Sequence, residues 1–188
     1  MKTLKLIFPG RRYSLDRSLL YFLNKYIEGD TLYFSYNIDL NLSASVDLLI
    51  NEAYEYSKEK IKEIDLTKYT EIIFIGKSIG TVVAGKIREL VKLEEAKFIA
   101  LTPLDETVPY LHQWDFIVTS DDDRYFSSLS REKFKYAYPF FILLKGIGHS
   151  LESNVLSLTF KIQHQIIEEA LTYCDTSIKD LLGEDGCA

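Results

Sequence analysis

Cysteine, long apolar runs and excess positive charge are all scarce in this sequence, and each shortage removes a class of function. The two cysteines, Cys174 and Cys187, lie near the C-terminus without the spacing of a metal site. Neither a disulfide framework nor a zinc centre is implied, and a reducing, cytoplasmic setting is expected. No stretch approaches the ~20 apolar residues of a membrane span. The opening apolar run is too short for a signal-peptide core and breaks at Pro9-Gly10. With a formal net charge of -6, the chain lacks the basic excess on which general nucleic-acid and anionic-membrane binders depend, so neither partner is expected. Internal repeats and low-complexity linkers are missing as well.

What is present suits a packed α/β domain. Hydrophobic residues make up 47% of the 188 positions and aromatics 13%, enough for a real core. One domain over residues 1–175 is expected, followed by a tail over 176–188. Short β-branched or aromatic runs at residues 4–8, 31–36, 71–75, 96–101, 114–119 and 140–144 read as strands. Helical spacing of apolar residues marks 16–26, then a longer helix opened by Ser43 or Ser45 and ending near 64, then 81–93 and 155–174. Ser14 or Asp16 is the expected cap of the first helix. In the third, Val82, Val83, Ile87, Leu90 and Val91 are expected to face the sheet, with Arg88, Glu89 and Lys92 in water. A short helix within 125–133 completes the pattern, and Pro103 and Pro109 hold the fourth connection to a loop with at most a helical turn. Strands separated by helices imply a parallel sheet covered on both faces, with function collected beyond the strands' carboxyl ends.

The stretch at the centre of the chain is Gly76-Lys77-Ser78-Ile79-Gly80, a G-x-S-x-G turn between a buried strand and a helix of small residues. Such a turn strains the serine backbone and lifts its hydroxyl clear of the strand end, making Ser78 the candidate nucleophile. A Cβ at Gly76 or Gly80 would collide with the neighbouring strand or helix. Ile79 falls at the helix N-terminus, where its unpaired N–H suits an oxyanion. Gly76-Lys77-Ser78 resembles the end of a phosphate loop, but that motif's first glycine would fall at Glu71. The spacing of Gly76 and Gly80 is not that of a dinucleotide fingerprint either, and no cofactor is implied.

A serine needs a base, and the base an orienting group. Three histidines are available. His164 sits between Gln163 and Gln165 on a polar helix face, and His112 precedes its strand at the wrong end. His149 follows the last strand in the glycine-rich turn Gly146-Ile147-Gly148, which lets an imidazole reach back over the sheet. For the acid, Asp121-Asp122-Asp123 follows the fifth strand, in the order of preference Asp123, Asp122, Asp121.

Ser78, Asp123 and His149, each after a strand, give the chain order serine, acid, histidine, and residues 4–174 resemble the α/β-hydrolase superfamily. In that superfamily the acid commonly lies three residues beyond a glycine ending its strand, a place taken here by Ser120. Glycine, two residues, histidine is matched by Gly146 to His149, and Pro9-Gly10 stands where a His-Gly pair often ends the oxyanion strand. The resemblance implies a minimal, cap-less fold of six strands in the order 2-1-3-4-5-6, with a second oxyanion amide from Arg11 or Arg12.

The expected activity is hydrolysis of a small carboxylic ester or thioester through an acyl-enzyme. The alternatives are an acyltransferase using the same triad and a binding protein without turnover. Arg11, Arg12 and Tyr13 flank the oxyanion site, where a guanidinium is placed to recognise a substrate carboxylate or phosphate. Tyr36, Tyr125, Phe126 and Leu151 are the expected pocket lining at the strand ends.

Overall fold

The computed structural model describes residues 2–36, 44–135 and 138–177. In chain order the elements are β1 (Thr3–Phe8), α1 (Ser18–Tyr26), β2 (Asp30–Tyr33), α2 (Val46–Lys62), β3 (Glu71–Lys77), α3 (Ile79–Leu90), β4 (Lys97–Leu101), β5 (Phe116–Ser120), α4 (Ser128–Lys135), β6 (Phe141–Leu144) and α5 (Leu156–Asp175). Turns of 3₁₀ helix occupy Leu66–Lys68 and Asp105–Tyr110, the second replacing a full helix between β4 and β5. The six strands form one parallel sheet in the order β2-β1-β3-β4-β5-β6, as the resemblance implied.

Successive strand side chains point to opposite faces, and this alternation sorts the core into two halves. Leu6, Phe8, Phe74, Phe98 and Ile117 pack with Leu49, Ala53, Val83 and Ile87 under α2 and α3. Ile7, Ile73, Ile75, Ile99 and Val118 pack with Leu19, Leu23, Ile166 and Ala170 under α1 and α5. A sheet apolar on both faces must be covered on both, which leaves the rim at the strands' carboxyl ends as the place for polar chemistry.

Several local expectations change. Ser45 caps α2 by accepting from Leu48 N at 3.3 Å, while Ser43 lies outside the described residues. Neither Ser14 nor Asp16 caps α1: the Ser14 hydroxyl donates to Asp16 instead, and the helix begins after Arg17 without a side-chain cap. The fifth strand starts at Phe116, because Trp114 and Asp115 belong to a turn closed by Asp115 N on His112 O. Arg88 is not in water but 2% exposed, whereas Leu90 is 44% exposed. The cause is distant in sequence: the Arg88 guanidinium meets Asp115 in two parallel hydrogen bonds of 2.8 and 2.9 Å, rotating that face of α3 inward. Of the tail, only Thr176 and Ser177 lie within the described residues.

Candidate active site

The turn from β3 into α3 holds Ser78 at φ 55° and ψ -127°, a left-handed conformation that costs a non-glycine residue ~1–3 kcal/mol. The surroundings over-determine it. Ser78 N extends the sheet by donating to Leu101 O at 3.0 Å, and Ser78 O accepts from both the amide and the hydroxyl of Thr81. The two glycines answer to close approaches: a Cβ on Gly80 would stand 2.1 Å from Phe8 O, and one on Gly76 would stand 2.7 Å from Thr81 Cα. Side chains there would push the elbow off both β1 and its own helix.

Ser78, His149 and Asp123 meet at the carboxyl rim of the sheet. Ser78 Oγ lies 2.7 Å from His149 Nε2, and His149 Nδ1 lies 2.8 and 2.9 Å from the two oxygens of Asp123. With Asp123 accepting from Nδ1–H, the neutral ring keeps its Nε2 lone pair for the serine proton. Asp123 is 2% exposed and its Oδ1 also accepts from Tyr125 N at 3.0 Å, which fixes the carboxylate. Burial, together with the nearby cations Lys77 and Arg124, pushes the His149 pKa below its ordinary value, although the hydrogen bond and charge of Asp123 pull it upward. The imidazole is therefore neutral at pH 7, the form that can act as a base.

The neighbouring acids have their own task. Asp121 Oδ1 accepts from Gly146 N at 2.8 Å, and Asp122 Oδ1 accepts from Gly148 N at 2.7 Å. Ser120 Oγ accepts from Ile147 N at 3.2 Å and donates to Asp122. Thus the end of β5 grips the turn that presents the histidine, a turn whose Gly146 and Gly148 have φ of 63° and 68°. Nothing local in the sequence shows that a later glycine turn will satisfy these acids.

A cleft of about 370 Å³ opens beside the serine. Arg11, Arg12 and Tyr13 line it, and Arg17, Lys77, Ser150 and Glu152 join them. Gly10 packs so closely on the elbow that a Cβ there would lie 3.1 Å from Ser78 Cβ, bringing the backbone leading into Arg11 against the serine. Ile79 is the first residue of α3, whose opening N–H groups have no partner one turn back. Tyr125 stacks edge-on against the His149 ring at 4.7 Å. The expected lining residues Tyr36, Phe126 and Leu151 are core instead: Tyr36 is 8% exposed with its hydroxyl on Pro9 O, and Phe126 and Leu151 are fully buried. His112 and His164 stand apart, one against Glu94 O and Trp114, the other in water beside Glu168.

Lys77 is the residue that sequence reasoning passed over. It is 2% exposed, and its ammonium donates to Thr102 Oγ1 and, at 2.7 Å, to the backbone carbonyl of His149. Its Nζ also lies 5.0 Å from the centre of the Tyr13 ring. Burial brings its pKa down to about 7, against the weaker pull of Asp123 and Glu152. The available signal was a lysine ending an otherwise apolar strand. Among the described residues no cluster of His, Cys, Asp or Glu could hold a metal ion, and no helix is long and apolar enough to cross a membrane.

No family model matches this sequence, and no curated protein matches it. Solved structures do. An alpha-beta serine hydrolase homologue from Coxiella burnetii superposes with a TM-score of 0.61 at 14% identity, covering 89% of this chain and 84% of that one. Alpha/beta hydrolase domain-containing protein 10 from mouse gives a TM-score of 0.62 at 10% identity, over 92% of this chain and 89% of that one. Est1E from Butyrivibrio proteoclasticus, solved with ferulic acid bound, gives 0.56 at 12% identity, over 90% of each chain. At such identities the likeness speaks for the fold, and it agrees with the six-stranded parallel sheet described above: this chain has the α/β-hydrolase fold.

Proposed function

We propose that the protein is a serine hydrolase that cleaves a small carboxylic ester or thioester through an acyl-enzyme on Ser78. The observation that carries the reading is the unbroken pair of hydrogen bonds from Ser78 Oγ through the His149 ring to Asp123. Ser78 Oγ attacks the carbonyl carbon as its proton passes to His149 Nε2, and the carbonyl oxygen becomes an oxyanion between the amides of Ile79 and Arg11. Collapse expels the alcohol or thiol, which leaves with the proton from the imidazolium. Water then attacks the acyl-enzyme, His149 again takes and returns a proton, and the carboxylic acid departs with Ser78 restored. Asp123 holds the ring and stabilises its cation. Each oxyanion donor would contribute ~2.7–4 kcal/mol to lowering the barrier.

Treatment with a fluorophosphonate, followed by steady-state assay with a short-chain aryl ester, tests the reading. Modification at Ser78 with abolition of multiple-turnover hydrolysis is the expected result. Modification of a protein that never turned over would make it a binding protein. Transfer of the acyl group to an added alcohol in preference to water would make it an acyltransferase.

A further inference from the structure

Charge is distributed unevenly over this molecule. The chain as a whole carries a formal charge of -6, yet three arginines, Arg11, Arg12 and Arg17, line the cleft beside Ser78 with the partly charged Lys77, against the acid Glu152. A cleft with an excess of one sign, walled by a low-dielectric core, concentrates its field on whatever enters. The backbone adds to it: Arg17 stands at the start of α1, whose first turn has no acidic residue and whose N-terminus has no side-chain cap, with Asp16 just before it as the nearest carboxylate in sequence. Lys77 donates to a hydroxyl and a carbonyl, and among its hydrogen bonds none goes to a carboxylate. A neutral substrate would leave this field unused.

Resting on the hydrolase reading of the same site, we infer that the substrate is an ester or thioester bearing a second, anionic group, a carboxylate or phosphate, held by Arg17 while Ser78 attacks the carbonyl. Arg17 is exposed at the helix start that forms one wall of the cleft, where a planar guanidinium can take an anion in two parallel hydrogen bonds. Lys77, deeper and held to the His149 carbonyl, stays anchored. The cleft volume of about 370 Å³ suits a small molecule.

The test compares matched esters. The methylumbelliferyl monoester of adipic acid is set against the hexanoate of equal length, and the acetate of a carboxyl-bearing nitrophenol against that of plain nitrophenol, so the two pairs place the anion on the acyl side or the leaving-group side. The expected result is a kcat/KM preference for the anionic member of one pair of about 10- to 100-fold, the size of one charge-assisted hydrogen bond. That preference shrinks with added salt and falls at least about tenfold in Arg17→Gln. The control Lys62→Gln, on the exposed face of α2, keeps it. Equal rates within both pairs would overturn the inference while leaving the hydrolase reading intact. Should no ester turn over, calorimetry on Ser78→Ala with adipic acid monoamide still decides: salt-sensitive binding lost in Arg17→Gln supports the anion site, and no binding overturns it.

Discussion

Lys77 precedes α3 and Arg88 lies in its last turn, both are 2% exposed, and their surroundings could hardly differ more. Arg88 lies toward the amino ends of the strands, where Asp115 meets its guanidinium on both branches and the carbonyls of Ala96 and Tyr110 take further N–H groups. Lys77 lies at the carboxyl rim with a hydroxyl and a carbonyl for company, and its pKa has fallen to about 7. One buried cation is satisfied, the other is held at a cost. The contrast separates a rim built for stability from a rim where local stability is given up to shape a site, as expected where sequence-level rules are broken for function.

Four substitutions sharpen or break that contrast. Asp123→Asn keeps the shape of the rim but removes the acceptor that sets the imidazole tautomer. The kcat for ester hydrolysis is expected to fall roughly 10⁴-fold with little change in thermal stability, and a loss under tenfold would detach Asp123 from the chemistry. Arg88→Met leaves the Asp115 carboxylate buried without its partner and should destabilise the fold by about 3–5 kcal/mol in urea titration. Its pH–rate profile should not move.

Lys77→Met should behave in the opposite sense. The unfolded lysine titrates near 10.5 and the folded one near 7, so between these values the unfolded chain binds the extra proton and stability rises with pH. The burial penalty is therefore fully felt below about pH 7 and fades toward 10.5. Removing the ammonium should make the protein more stable at pH 6 by at least about 1 kcal/mol, with the gain vanishing in alkali. Loss of the nearby cation should also raise the pKa of His149, so the acid limb of kcat/KM, which falls as the ring protonates below 6.5, should move upward. Destabilisation at every pH with an unmoved limb would put Lys77 in the same class as Arg88. The smallest effect is expected from Gly148→Ala: a Cβ there meets nothing, but the φ of 68° costs an alanine about 1 kcal/mol, and the loosened turn should lower kcat more than it raises KM.

Much of this site was legible in the chain because its signals are local. A strand, two glycines and a serine announce the elbow, and a glycine turn after the last strand announces His149. The order of strands and helices, with the resemblance, gave the sheet. What stayed hidden depends on partners distant in sequence. Arg88 looked like a water-facing residue until Asp115 was brought to it across the sheet. Tyr36 and Leu151 lie near the rim in sequence but are swallowed by packing. Asp121 and Asp122 found their donors in the turn at Gly146 and Gly148, and Lys77 found an acceptor in His149 O. Charged side chains default to solvent in any periodicity argument, so buried or anchored ones escape it.

The covalent step on Ser78 is the centre of the account, and rapid-quench mass spectrometry during ester turnover addresses it directly. An acyl adduct on the peptide containing Ser78, forming and decaying at rates compatible with kcat and absent from Ser78→Ala, is the predicted result. Sustained hydrolysis by Ser78→Ala at the parent rate, with no adduct on the parent protein, would contradict it.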